Sequence, residues 1–70
     1  MERIPVSSSN IRSIGYDADT LTLEVEFNTG SLYQFSGVPS HEYDAFMAAG
    51  SKGRHFNLQV KGRYGETRLS

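Results

Sequence analysis

Fifteen residues, Leu21 to Phe35 (LTLEVEFNTGSLYQF), constrain this chain most. Leu21, Leu23, Val25 and Phe27 alternate with Thr22, Glu24 and Glu26, the period of two that marks a half-buried strand. Asn28-Thr29-Gly30 follows, and glycine tolerates the left-handed backbone that closes a three-residue hairpin loop. With that loop, Val25 opposes Tyr33 and Leu23 opposes Phe35, so both aromatics join the apolar face. A four-residue loop would put them on the charged face with Glu24 and Glu26, because one residue of slip inverts every side chain. The first register builds a continuous apolar face and is the one expected.

The rest of the chain is read by how it covers this hairpin. Ile11 to Tyr16 reads as a preceding strand, and Asp17-Ala18-Asp19-Thr20 as the turn that returns it. That turn lacks the further oxygen ligands and the glycine of a calcium loop. After Phe35, the run Ser36-Gly37-Val38-Pro39 breaks the pattern, and Ser40 is placed to cap a helix that stops at Gly50. Tyr43, Phe46 and Met47 share one face of that helix, which is expected to lie across the apolar side of the sheet. The segment 51–60 is ambiguous: Phe56 and Val60 lie one helical turn apart, yet Phe56, Leu58 and Val60 also alternate. A short helix restarting at Ser51 is favoured. The expected fold is α+β: a three-stranded antiparallel β-meander covered on one face by one or two short C-terminal helices. One domain is expected over residues 1–70, its core at about 6–66, with 1–5 and 67–70 as flexible ends.

A chain of 70 residues buries only about 60% of its unfolded surface, so its core is small and a partner or a homodimer would help it. The absence of cysteine excludes disulfides and thiolate chemistry and fits a reducing, cytoplasmic setting. No segment approaches the apolar length of a membrane span, so no membrane partner is expected.

Charge is unevenly distributed. Residues 1–50 carry Arg3 and Arg12 against Glu2, Asp17, Asp19, Glu24, Glu26, Glu42 and Asp44. Residues 51–70 carry Lys52, Arg54, Lys61, Arg63 and Arg68 against Glu66 alone. Two readings stand: the basic end faces an anionic partner, or it packs beside the acidic sheet face and neutralises it.

Catalytic motifs are missing. There is no Gly-x-Ser-x-Gly elbow, His41-Glu42 lacks the second histidine of a zinc helix, and no glycine-rich phosphate loop occurs. No enzyme and no cofactor or metal is therefore expected. The candidate site is Ser51, Lys52, Gly53 and Arg54, where a helix start offers backbone amides and two cations to phosphate, extended by Lys61 and Arg63.

Val6-Ser7-Ser8-Ser9-Asn10-Ile11, Ile14-Gly15-Tyr16-Asp17, Tyr33-x-Phe35, Gly37-Val38-Pro39, Ser51-Lys52-Gly53-Arg54-x-Phe56-Asn57 and Gly62-x-Tyr64 together resemble the KTSC domain. That family is named for the C-terminal domain of lysyl-tRNA synthetase, and the resemblance spans about residues 6–66. Its members occur fused to such synthetases and as free-standing bacterial and phage proteins, which implies RNA binding and no catalytic residues. The family's central Tyr-x-Tyr is Tyr33-Gln34-Phe35 here, so the second hydroxyl is missing while packing or stacking survives. The resemblance and the charge pattern together imply a non-catalytic module that holds RNA or another anion through 51–63. The alternative is a protein-interaction or self-associating domain with no nucleic-acid role.

Overall fold

The computed structural model describes all residues, 1–70. Five antiparallel strands lie in sequence order, β1 (Arg3–Pro5), β2 (Ile11–Asp17), β3 (Thr22–Phe27), β4 (Leu32–Ser36) and β5 (Gly65–Arg68). The meander of β2, β3 and β4 is the expected one, but the sheet has five strands, not three. The expected flexible N-terminal end supplies one edge, β1 on β2, and β5, which straddles the expected core boundary at 66, supplies the other on β4. Each edge strand is short, and Pro5 sits where a missing amide costs no ladder bond, as edges allow.

The hairpin register is the expected one: Leu23 opposes Phe35 and Val25 opposes Tyr33. The loop closes with the Phe27 amide donating to Ser31 O at 2.9 Å, and Gly30 has φ +94°. Leu21 departs from expectation. It lies in the turn before β3 with φ +56°, exposed, and its carbonyl accepts the Val38 amide at 2.9 Å.

Helix α1 (Ser40–Ala48) and helix α2 (Lys52–His55) form the second layer, and α2 runs into one π-helical turn, Phe56–Val60. The ambiguity at 51–60 thus resolves as helix. The π turn ends with the Lys61 amide donating to Phe56 O at 2.9 Å. Ser40 does not cap α1; it is the first helical residue, and the Pro39 carbonyl takes the Glu42 amide. Ile11, Ile14, Leu23, Val25, Phe35, Val38, Phe46, Phe56 and Val60 form one buried cluster between the layers. Tyr16 stacks on Tyr43 at 4.8 Å and donates to Val38 O, so the loop entering α1 is fixed to β2.

The opposite face of the sheet is polar yet closely organised. Arg3, Gly15, Glu24, Gln34 and Thr67 form one row across all five strands. Because Gly15 has no side chain, Arg3 crosses it to pair with Glu24, which is only 6% exposed and also accepts from Gln34 at 3.0 Å. A Cβ on Gly15 would lie 2.9 Å from Glu2 O and 3.0 Å from Arg3 Cγ. Gly15→Ala is therefore expected to destabilise by about 1–3 kcal/mol through overpacking, read as a lower urea midpoint.

Burial raises the affinity of Glu24 for its proton, but the hydrogen bonds from Gln34 and Arg3 and the charge of Arg3 outweigh it and hold its carboxyl below the ordinary value. A carboxyl that is more acidic folded than unfolded adds stability at neutral pH, and this is lost as pH falls from about 4 through its folded-state value. Glu24→Gln is accordingly expected to flatten that acid limb in pH-dependent melting; an unchanged limb contradicts the pairing.

Candidate nucleic-acid interface

The loop Ser7–Asn10 and the start of α2 face each other across the helical layer. Ser8 Oγ accepts the amides of Asn10 and Ile11, both at 3.2 Å, which turns the loop. Asn28, at the hairpin tip, clamps it from the other side, donating its carboxamide to Ser9 O at 2.9 Å. Asn10 then comes so near α2 that a Cβ on Gly53 would sit 3.0 Å from Asn10 Nδ2. Two clefts open on either side of this contact. A polar one of about 710 Å³ lies between Ser7–Asn10 and Gly50–Arg54. A second, of about 450 Å³, is bounded by Phe27, Tyr33, Phe56, Asn57 and Lys61. Ser9, Asn10, Gly53 and Asn57 belong to both.

Four of the six residues singled out in the sequence, Ser51, Lys52, Gly53 and Arg54, line the polar cleft, and Lys61 lines the second. Arg63 lines neither; its guanidinium donates to Leu58 O at 3.2 Å. Of the three helix-start amides expected to be free, that of Arg54 is taken. Ser51 Oγ accepts the Arg54 amide at 3.3 Å, so the helix start caps itself, and Lys52 directs its ammonium to Ala49 O at 2.6 Å. The segment also offers side-chain charge on a cleft wall.

Of the two charge readings, neutralisation of the acidic sheet face by the basic end is not what the structure shows. Arg3 lies against Glu24 and Glu26, and Arg12 against Glu26, so the N-terminal half neutralises its own sheet face. Lys52, Arg54, Lys61, Arg63 and Arg68 form no ion pair.

One cluster had no sequence signal. Glu42 on α1 holds His55 Nε2 at 2.7 Å and Tyr64 Oη at 3.4 Å, with Phe46 stacked on the imidazole. Burial, then the charge and hydrogen bond of Glu42, push the Tyr64 phenol above its ordinary value. Neither His41 nor His55 lines a cleft. The cluster ties α1, α2 and the approach to β5 together. Glu42→Ala leaves two half-buried partners unsatisfied, and a loss of about 1–3 kcal/mol is expected in chemical denaturation.

A model of the KTSC domain matches residues 7–64. The chain belongs to the KTSC domain family. The crystal structure of a KTSC domain protein from Yersinia pestis superposes with a TM-score of 0.96 at 45% identity, covering 99% of this chain and 97% of that one. An uncharacterized protein of Stutzerimonas stutzeri is 46% identical over 61 residues, spanning 87% of this chain and 86% of its own length. A lysine–tRNA ligase of Nostoc punctiforme is 39% identical over 62 residues, 89% of this chain but 11% of the ligase. The KTSC domain thus stands alone at nearly full length in one relative and as a small part of a large protein in the other. In this chain the family's Tyr-x-Tyr position is Phe35, fully buried, so the absent hydroxyl suits its surroundings.

Proposed function

We propose that this KTSC domain is a non-catalytic module that binds RNA through the clefts between the Ser7–Asn10 loop and α2, in a cytoplasmic setting. The carrying observation is the set of five C-terminal cations without carboxylate partners, set against a sheet face whose carboxylates are neutralised from within. Burying charge complementarity inside the fold would have used those cations; leaving them unpaired, with Lys52, Arg54 and Lys61 lining the clefts, favours an anionic partner. The side chains of Arg54 and Lys61 are exposed and unpaired and are the principal phosphate contacts; Lys52 and Arg63, each held by a backbone carbonyl, add field. Likeness to a segment of lysine–tRNA ligases supports RNA over other polyanions.

Titration of the native domain against single-stranded RNA at a series of salt concentrations tests this. Three or four phosphate contacts give a log–log slope of roughly −2 to −3. No binding at low salt, or a slope near zero, overturns the proposal.

A further inference from the structure

Resting on that RNA reading, the geometry points to the second cleft as a seat for one unstacked nucleobase of a single strand. Its volume, about 450 Å³, lies within the range of small-molecule sites. The helical layer covers the sheet unevenly. Phe35 and Phe56 are buried at the cleft floor, whereas Phe27 and Tyr33, meeting edge to face at 5.8 Å, are only half-buried at its wall. Half-buried rings on a sheet, beside an opening, are the surface on which an unstacked base gains contact. The guanidinium of Arg68 lies 5.8 Å from the Tyr33 ring centroid and adds positive charge next to it.

The rim supplies the other half of base recognition. Asn10 and Asn57 carry carboxamides that donate and accept together, as the edge of a base requires. Both also border the polar cleft, so a strand whose phosphates run past Arg54 reaches the aromatic wall without leaving the protein surface. Lys61 also lines this cleft and offers its charge to the next phosphate, with Glu66 the one carboxylate among the lining residues. A duplex, with its bases paired and stacked, has no group to place there.

Fluorescence anisotropy at low salt provides the test, with native protein and three probes: a single-stranded RNA of about eight nucleotides, the same strand with abasic ribose-phosphate positions, and a duplex of equal phosphate number. The seat predicts that the ordinary strand binds about 5- to 150-fold more tightly than the abasic one. Tyr33→Leu is expected to lose that margin and Tyr33→Phe to keep it. Equal affinity for ordinary and abasic strands overturns the seat and leaves the phosphate reading standing. A persistent margin with affinity unchanged in Arg54→Gln/Lys61→Gln keeps the seat and overturns the phosphate reading, while no binding to any probe overturns both. The abasic comparison uses native protein, so it decides even where Tyr33→Leu fails to fold.

Discussion

Phe35→Ala is expected to lower the free energy of unfolding by about 3–5 kcal/mol, measured by urea denaturation. Phe35 is fully buried on β4, packs edge to face on Phe56 at 5.5 Å, and opposes Leu23 across the hairpin. Its ring is thus the point where the sheet meets α2 and the π turn. Removing it leaves a cavity that the rigid hairpin cannot close, and the cost is lost transfer energy plus that cavity. Small domains have about 5–15 kcal/mol in total, so much of the stability is at stake. Because Phe35 also forms the floor of the second cleft, the loss should weaken any ligand held there. A change below about 1 kcal/mol would mean that the two layers do not meet at this ring.

The largest functional effect is expected from Arg54→Gln combined with Lys61→Gln. Each lost phosphate contact removes about 0.7 from the log–log salt slope on a single strand, so the slope should fall by about 1.4. At low salt the same counterion release makes affinity drop on the order of tens of fold. Both side chains are exposed and carry no ion pair, so thermal melting should stay close to native. Arg12→Gln is the single-charge control, since Arg12 lines neither cleft and already faces Glu26 and the Asn28 carbonyl. A logarithmic loss in the control half as large as that in the double variant would indicate a response to net charge alone.

How far these features were legible in the sequence varies by element. The hairpin and its register were, because alternation and a glycine-closed loop act over a few residues, and a slip would have exposed Tyr33 and Phe35 with the glutamates. The two edge strands were not. Arg3–Pro5 and Gly65–Arg68 are too short and too polar to show a period, and they are strands only because β2 and β4 offer open edges. Burial of Glu24 was equally hidden, since it depends on Arg3 crossing the Gly15 gap from 21 residues away.

For the candidate site, Ser51–Arg54 stands out through its glycine and cations, but the loop that faces it does not. No periodicity in the Ser7–Asn10 run places it, and only the Asn28 clamp and the close approach of Asn10 to Gly53 bring it opposite α2. Tyr33 shows the limit of pattern. Alternation tells which face a ring is on, not how far the covering layer extends, and here that layer stops short of it.

The central claim, that RNA lies along the wall formed by the Ser7–Asn10 loop and α2, is tested most directly by backbone amide shift mapping of the native domain titrated with single-stranded RNA. Perturbations are expected to concentrate at Ser7–Asn10, Gly50–Leu58 and Lys61, reaching Phe27 and Tyr33. Perturbations centred on Arg3, Ser13 and Glu26 on the polar sheet face, or none at saturating RNA, would contradict it.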